Sequence, residues 1–458
     1  AAAGGDRGLV AAAPIDKGER LLYIPEAAMV SQSMVKGDPL VAEVREVLES
    51  RREKCASCSW KDGCMRQCRM LASESTAEAI VQIELAVWIA KELQNSSSAW
   101  QPWLDMLPSR FASFPLALPE PVLRVAFPGT ELLSEVVEHQ ASWRTLHEAL
   151  TNSSVRYRAH VGSYEVLRSA RLTVLSRVHG LKHAGSYGGD AVVPFADLLN
   201  HDPEAPTWWG PSKEGGFELR ATAPIPAGAA ITCSYGAERS SKEFLIHYGF
   251  APETVPGHSV TLQLSVERRE ELAGAKREAL MGMDLYRTFR FGSSEGFAAS
   301  AAPLRPCGWM NMPEKERDAV VFGELLTFLR VLALRESDVK QHAGLEAALL
   351  RQDEAALERL REGGGVLDSG LEERAAARLE AACDAYLEEL GGAGSQADAV
   401  SALRQAATES GEAQALDVPH LAAGAASYFA VERRLYTRLR DLASFVRRGL
   451  RAGGDGER

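Results

Sequence analysis

The wide separation of its two strand-forming regions is the feature that most constrains the fold of this chain. Near the start, Leu9–Ala11 and Arg20–Ile24 have strand character, and the turn at Asp16–Gly18 predicts that they form a small hairpin. Strand character returns only far along the chain, at Ala191–Pro194, Phe217–Arg220 and Ala229–Cys233. We therefore expect the two regions to fold against each other across everything that lies between them.

Helical periodicity fills the stretch between these regions, from about Pro39 to Arg177. Its first apolar stripe comprises Leu40, Val44, Val47 and Leu48. Residues 80–88 predict a more deeply buried helix, and prolines then break the pattern into short pieces. A longer helical region resumes near Glu131 and is expected to break near Asn152.

Beyond the second strand region, a short helix is predicted at Ser240–His247 and a strand at Ser259–Leu264. From there the pattern predicts helix to the end of the chain. The last helix has an apolar stripe at Tyr428, Val431, Leu435, Leu439, Leu442 and Val446. The stretch Gly391–Ala415, which is rich in small and polar residues, predicts a loose loop between helices.

Composition narrows the range of partners. The chain has 458 residues, 46% of them hydrophobic, which suits a soluble protein of two or three domains. Its net charge of -11 argues against nucleic acid as the main partner, because phosphate binding needs a basic face. No apolar run approaches the roughly 20 residues that span a bilayer, so no membrane segment is expected.

Four short motifs follow one another along the chain. They are Arg7–Val10 with Ile15–Glu19, then Ser176–Arg177, then Pro194–His201, and finally Ser234–Gly236 with Phe244–Phe250. In this order and spacing they resemble the SET-domain family of protein methyltransferases. The resemblance is to the branch that contains Rubisco large-subunit methyltransferase, and it is strongest over residues 4–26 and 176–253.

This resemblance implies an α+β fold in three parts. A β-rich SET core would comprise residues 1–35 and 176–255, a helical insert would occupy about 36–175, and residues 256–458 would form an all-helical substrate-binding domain. It also implies an S-adenosylmethionine-dependent lysine methyltransferase that acts on a non-histone protein, such as Rubisco large subunit or an aldolase. A plastid location follows from that resemblance, with cytoplasm or nucleus as the alternatives.

The same resemblance assigns the cofactor to Arg7, Gly8, Arg177, Asn200 and His201. The residue types fit, because glycine allows close approach of a backbone and arginine can bind a carboxylate through two hydrogen bonds. An asparagine amide can both donate and accept. The alternatives are a simple turn at Gly8, a surface arginine at a helix end, and a turn pair with a buried histidine.

Tyr235 is the predicted catalytic residue, and the family also has it contact the cofactor. Methyl transfer from a sulfonium is a direct displacement, so the enzyme must above all align the reacting atoms. The resemblance lines the substrate channel with Ser176, His179, Asp197 and Tyr248. His179 departs from the phenylalanine that is commoner in the family. The alternative for Tyr235 is an aromatic strand residue packed in the core.

Four of the seven cysteines cluster at Cys55, Cys58, Cys64 and Cys68. Four thiolates could hold a structural zinc ion, although the spacing of the middle pair is cramped for a zinc finger. Free or redox-active thiols are the alternative. The odd total and the absence of a disulfide framework favour a reducing compartment.

Three other functions remain open at this point. One relative with this architecture modifies a histidine in actin, so the acceptor could be histidine instead of lysine. The chain could also be a non-catalytic SET-like binding module, or an interaction protein that uses zinc at the cysteine cluster. The sequence does not define the target protein, the number of methyl groups added or the oligomeric state.

Overall fold

The structure is a computed structural model of the chain. It describes residues 7–57, 77–182, 188–236, 239–252, 259–266, 269–279, 286–292, 325, 328–341, 369–391, 396–412 and 414–454. Backbone contacts divide the chain into two units. The first draws on residues 1–237, 242–250 and 399–424, and the second on 238–241, 251–398 and 425–458. The predicted domain boundary after residue 255 stays a prediction.

The helices of the first unit occupy mainly the stretch between its strands. They are α1 (Gln32–Val35), α2 (Pro39–Ser57), α3 (Ala77–Leu93), α4 (Gln101–Leu104), α5 (Glu120–Ala126), α6 (Glu131–Ser153), α7 (Val155–His160), α8 (Tyr164–Arg177) and α9 (Ser241–Tyr248). The break predicted near Asn152 is confirmed, since Ser154 ends α6 and caps α7. Its hydroxyl accepts a hydrogen bond from the backbone N–H of Tyr157 at 3.0 Å.

The core of this helical insert is built around α3. Ile83, Leu85, Val87 and Ile89 are fully buried there, and side chains of α2 and α8 pack in the same cluster. Burial all round a helix is the pattern expected of one that its neighbours cover on every side. The prediction of a deeply buried helix over residues 80–88 is therefore confirmed.

Nine strands of the first unit form three small sheets. They are β1 (Leu9–Val10), β2 (Arg20–Ile24), β3 (Val30–Ser31), β4 (Val178–Lys182), β5 (Gly188–Val192), β6 (Asn200–His201), β7 (Thr207–Pro211), β8 (Phe217–Ala221) and β9 (Ala230–Cys233), counted over the described residues. The strand orders are β1-β9-β6, β2-β8-β7 and β3-β5-β4. Each sheet therefore combines early strands with strands that follow the insert.

The predicted hairpin between β1 and β2 is wrong. Both strands exist, but Leu9 pairs with Ile231 of β9 and Leu22 pairs with Leu219 of β8. Burial explains the difference, since pairing with the later strands places Leu219 and Phe217 in a shared core that a short isolated hairpin cannot provide. The expectation that the two distant strand regions fold against each other is confirmed.

Two adjacent glycines in the turn between β7 and β8 allow β8 to pair with β2. Gly216 has φ +89°, and a Cβ there would lie 2.2 Å from the carbonyl oxygen of Ile24 on β2. Gly215 has φ +85°, and a Cβ there would meet nothing within 4 Å. Both residues require the left-handed region, but only Gly216 also requires the missing side chain.

We expect Gly216→Ala to destabilise the protein by several kcal/mol, because the backbone of β2 would have to move. Gly215→Ala should cost only about 1 kcal/mol, the strain of a left-handed alanine. Urea unfolding of both variants measures the difference, and the near-equal φ values make the pair a matched comparison. Equal losses of stability would show that the close approach to Ile24 is unimportant.

The remaining elements are β10 (Ser259–Ser265), β11 (Tyr286–Gly292), α10 (Ala273–Ala279), α11 (Glu336–Gln341), α12 (Ser369–Gly391), α13 (Gln396–Glu409) and α14 (Val418–Gly454). The strand predicted at Ser259–Leu264 and the last helix are confirmed. The prediction of helix throughout the chain after residue 265 is wrong at β11, which pairs antiparallel with β10 along its whole length. Alternating aromatic and polar residues in β11 favour a strand.

The loose loop predicted over Gly391–Ala415 is also wrong, because α13 lies within it. Its alanines are strong helix formers, and Leu403, Ala406 and Ala407 give it a buried stripe. Across the part of the chain that the structure describes, no helix combines the length and apolar character needed to cross a bilayer.

Candidate active site

The motif Pro194–His201 lies beside the strand that leads to Tyr235. The backbone N–H of Asp197 donates to the carbonyl of Val193 at 3.0 Å, which forms a tight turn directly after β5. β6 then runs parallel to β9, with Asn200 opposite Thr232 and His201 opposite Cys233. Two motifs that are 34 residues apart are thereby brought into one site.

Tyr235 is held at both ends. Its hydroxyl donates to the carbonyl oxygen of Leu199 at 2.6 Å, and its backbone N–H donates to Nδ1 of His201 at 3.1 Å. Its ring stacks on that of Tyr248, with centroids 4.5 Å apart. Burial raises the pKa of the Tyr235 phenol far above its ordinary value, so the group stays protonated at neutral pH.

His201 supports Tyr235 through its side chain. Because Nδ1 accepts the Tyr235 N–H, a neutral ring carries its proton on Nε2. Burial lowers the pKa of His201, which keeps the ring neutral and preserves this acceptor. The ring also packs against Phe244 and Tyr235, with centroids 4.7 and 5.2 Å away. The role that the structure gives this imidazole is to position the backbone of Tyr235.

Arg177, Asp197 and Trp103 form a buried polar group next to Tyr235. The Arg177 guanidinium donates to the carbonyl oxygen of Asp197 and lies 3.6 Å from its carboxylate. The Trp103 indole N–H, from α4 in the insert, donates to the same carboxylate at 3.1 Å. The side chains of Arg177 and Asp197 are only 17% and 2% exposed. Their charges also act on the phenol of Tyr235, which locates all three groups in one region.

Two atoms of this group have no partner among the described residues. They are Nε of Arg177 and one carboxylate oxygen of Asp197, and both are buried. Buried polar atoms are nearly always hydrogen-bonded in folded proteins. An unpaired donor and an unpaired acceptor side by side are therefore expected where a ligand binds.

Gly8 lies against Asn200 at the other side of the site. A Cβ on Gly8 would lie 2.7 Å from Nδ2 of Asn200, so this glycine permits the close approach. The Arg7 guanidinium instead donates to the carbonyl oxygen of Met106 at 2.9 Å, in the insert. Arg7 therefore joins the segment before β1 to the insert, and Gly8 lies against Asn200 of the Pro194–His201 motif.

Two of the predicted site residues direct their side chains elsewhere. The Ser176 hydroxyl donates to the carbonyls of Leu172 and Thr173 within its own helix, at 2.7 and 3.3 Å. The His179 ring is 8% exposed and packs edge-on against Trp209 and Phe217, with centroids 5.0 and 5.3 Å away. Neither side chain is shown facing Tyr235, although Ser176 adjoins Arg177 along the chain.

His179 gives this part of the fold a defined pH dependence. Burial lowers its pKa from about 6.5 to about 4, so the folded state keeps the ring neutral while the unfolded chain binds a proton. The contribution of His179 to the free energy of unfolding is therefore complete above pH 6.5 and decreases as the pH falls toward 4. We expect about 2 kcal/mol of loss between pH 7 and pH 5 from this source.

His179→Phe, which keeps an aromatic ring, should remove that part of the pH dependence. Urea unfolding of the wild type and the variant at both pH values measures it. If His179→Phe loses as much stability between pH 7 and pH 5 as the wild type does, the imidazole does not titrate in this way.

Sequence reasoning missed two contributors to the site. Trp103 lies in the insert, and nothing in the sequence connects it to Asp197, 94 residues away. The carbonyl of Leu199, which receives the Tyr235 hydroxyl, belongs to the backbone and leaves no mark on residue type.

The zinc prediction lies largely outside the described residues. Cys55 falls in the last turn of α2, and Cys58, Cys64 and Cys68 follow it in an undescribed segment. Within the described ranges, no group of three or more histidine, cysteine, aspartate or glutamate side chains is arranged to hold a metal ion. Zinc at the cysteine cluster stays a prediction.

The chain belongs to the SET-domain family, whose sequence model matches residues 6–236. The match begins beside Arg7 and ends at Gly236, so it contains both halves of the split strand region and the insert between them. The family expected from the four motifs is thereby confirmed.

Curated relatives include actin-histidine N-methyltransferases. That of Papio anubis is 25% identical over 291 residues, and that of Homo sapiens is 24% identical over 291 residues. In both cases the match covers 62% of this chain and 45% of the relative. The chain thus spans less than half the length of these relatives.

Solved structures with this fold include the SET domain of LSMT bound to lysine and AdoHcy, with a TM-score of 0.61 at 16% identity. Rubisco LSMT bound to AdoMet gives a TM-score of 0.60, also at 16% identity. Each covers 97% of this chain and 86% of the solved chain. The predicted α+β architecture, with a SET fold and C-terminal helices, is confirmed.

Proposed function

We propose that this protein is an S-adenosylmethionine-dependent protein methyltransferase whose acceptor is a lysine side chain. The observation that carries the proposal is the setting of Tyr235. Tyr235 is partly buried, fixed at both hydroxyl and backbone, and stacked on Tyr248 beside the Arg177–Asp197 pair. An immobile phenol at the meeting point of two chain regions suits a reaction that depends on alignment.

The residues present fit the proposed cofactor. Arg177 offers a buried Nε donor without a partner, which matches a ligand carboxylate, and the unpaired oxygen of Asp197 matches a ligand ammonium. A Cβ on Gly8 would clash with the side-chain amide of Asn200, so glycine at this position lets the backbone and that amide lie close together. These residues therefore offer partners for both charged groups at the amino-acid end of the cofactor, its carboxylate and its ammonium.

The bound cofactor would supply a methyl group on a sulfonium, and a nitrogen–carbon bond would form as the carbon–sulfur bond breaks. The contribution of Tyr235 is to align the reacting atoms. Because its hydroxyl donates its proton to the Leu199 carbonyl, the phenol oxygen would face the methyl group through its lone pairs. The raised pKa of the phenol argues against its acting as a base.

A lysine acceptor must be neutral before it can react. Its ordinary pKa of about 10.4 means that deprotonation at pH 7 costs roughly 4.6 kcal/mol. Burial beside the stacked rings of Tyr235 and Tyr248 would disfavour the charged amine and reduce this cost. The sulfonium charge would act in the same direction, so water can accept the proton before the channel closes.

Histidine is the second candidate acceptor, and the curated relatives favour it, since they are named actin-histidine N-methyltransferases. An imidazole is largely neutral at pH 7 and needs no assistance to lose a proton. Tyr248, stacked on Tyr235, favours lysine, because a phenol beside the reacting centre can steer an amine by its hydroxyl or its face. The SET fold itself is compatible with both acceptors.

Methylation of a cell extract separates these possibilities. The protein would be incubated with isotopically labelled S-adenosylmethionine, and the labelled residue would be identified by mass spectrometry, with purified Rubisco large subunit, an aldolase and actin as defined substrates. Label on lysine supports the proposal, and label on histidine supports the second candidate. Binding of S-adenosylhomocysteine without any label would indicate a non-catalytic SET-like module.

Rubisco large subunit or an aldolase as target, and with it a plastid location, is part of this proposal and rests on the resemblance to the Rubisco methyltransferase branch. The defined-substrate arm of the experiment tests it directly. Labelling of actin alone would replace it.

A further inference from the structure

We propose that Trp103 is a positioning residue of the cofactor site, because its indole N–H holds the Asp197 carboxylate toward the Arg177 guanidinium. The inference rests on the proposed function, since it assumes that Arg177 binds the cofactor. It extends that function to a residue of the helical insert, which lies in sequence well away from the strands that form the site.

Geometry supports a directed contact. The indole N–H is 3.1 Å from one Asp197 oxygen, and the nearest Arg177 nitrogen is 3.6 Å from the same oxygen. The other carboxylate oxygen has no partner among the described residues. Trp103 is therefore the one side chain for which the structure shows a hydrogen bond of ordinary length to this carboxylate. Without that bond, the carboxylate could rotate away from Arg177.

The insert holds Trp103 rigidly enough for this role. Its ring is 5% exposed and packs edge-on against Trp100, which packs edge-on against Trp88 of α3. The centroid distances are 6.0 and 5.5 Å, within the range of favourable aromatic pairs. A chain of three tryptophans thus connects the buried core of the insert to the polar group of the site.

The charges around Asp197 indicate what the contact controls. Arg177 faces the carboxylate from α8, Trp103 faces it from α4, and Tyr235 is in electrostatic reach from the end of β9. Arg7 acts on Arg177 from the first strand. Burial raises the pKa of Asp197, and Arg177 and the Trp103 hydrogen bond oppose that rise. Loss of the indole N–H would make the carboxylate easier to protonate, which would release Arg177.

The test is the pH dependence of S-adenosylhomocysteine binding to Trp103→Phe, measured by calorimetry. At low pH, protonation of Asp197 should weaken binding, and we call this part of the binding curve its acid limb. We expect the acid limb of Trp103→Phe to lie about one pH unit higher than that of wild type, because the free energy of a hydrogen bond to a charged group corresponds to a pKa change of about that size. The variant would then bind about tenfold more weakly than wild type on the acid limb, and the two curves would converge at high pH.

Trp100→Phe is the matched control, since it removes an indole N–H from the neighbouring ring, for which no contact with Asp197 is shown. Its acid limb should coincide with that of wild type. Asp197→Asn provides a second check, because adding Trp103→Phe to that variant should leave its pH profile unchanged. Circular dichroism of each variant monitors folding.

The outcomes are distinguishable. A shifted acid limb in Trp103→Phe alone supports the inference. An unshifted limb, or equal weakening at every pH in both tryptophan variants, overturns it and leaves the proposed function intact. No binding of S-adenosylhomocysteine to wild type at any pH overturns the proposed function and this inference together.

Discussion

Tyr235→Phe is expected to lower the rate of methyl transfer by about 100-fold while changing the affinity for S-adenosylhomocysteine by less than about threefold. The substitution keeps the ring and its stack on Tyr248 but removes the hydroxyl that is fixed on the Leu199 carbonyl. S-adenosylhomocysteine has no methyl group for this oxygen to contact, so loss of the hydroxyl should raise the barrier to transfer without weakening binding of that ligand. Single-turnover rates and calorimetry measure the two effects separately.

Tyr157→Phe is the matched control for this experiment. Tyr157 is also a buried tyrosine, and its hydroxyl forms one hydrogen bond, to Nδ1 of His147 at 2.9 Å, inside the insert. Each substitution should cost about 1 kcal/mol of stability, the usual value for one hydrogen bond. Only Tyr235→Phe should slow the reaction. Equal rates in Tyr235→Phe and wild type would remove this phenol from the mechanism.

Arg177→Met is expected to destabilise the fold by about 3 kcal/mol, because it leaves the Asp197 carboxylate buried without its counter-charge. The carboxylate is only 2% exposed, so water cannot replace the guanidinium. The same substitution should abolish measurable binding of S-adenosylhomocysteine, since it also removes the unpaired Nε donor. Urea unfolding and calorimetry measure the two losses.

The double variant Arg177→Met with Asp197→Asn separates these two effects. Neutralising Asp197 removes the unpaired charge, so most of the lost stability should return. Binding should not return, because the donor for the ligand carboxylate is still missing. Recovery of binding in the double variant would show that Arg177 serves only to pair Asp197, and the cofactor carboxylate would then need another partner.

The motifs were enough to predict which residues lie together in the site but not what each side chain contacts. Asn200, His201 and Tyr235 were expected together, and β6 beside β9 brings them together. His201, however, uses its imidazole to hold the Tyr235 backbone, and Ser176 bonds within its own helix. Such roles depend on side-chain direction, which a motif does not specify.

The errors in the fold have two different physical causes. A hairpin of β1 and β2 was the local solution, and the observed pairs with β9 and β8 are non-local, because burial in a shared core decides strand partners. At α13, composition suggested a loop, but alanine-rich helix propensity and a buried stripe favour a helix. Local pattern predicted most elements but not α13 or β11, and it predicted the partners of β1 and β2 wrongly.

The helical insert is the part of the molecule whose contribution was least predictable. Its periodicity indicated helices, and α3 and α6 lie where it indicated them. Its contacts with the site, through Trp103 to Asp197 and through Met106 to Arg7, join residues more than 90 positions apart. Short-range patterns carry no information about such contacts.

A crystal structure of the protein with bound S-adenosylhomocysteine tests the central claim most directly. We predict that the ligand carboxylate lies on Arg177, that its amino end lies near Asn200 and Asp197, and that its sulfur faces the Tyr235 hydroxyl. A ligand bound with its sulfur away from Tyr235, or an empty cleft at saturating ligand, would contradict it.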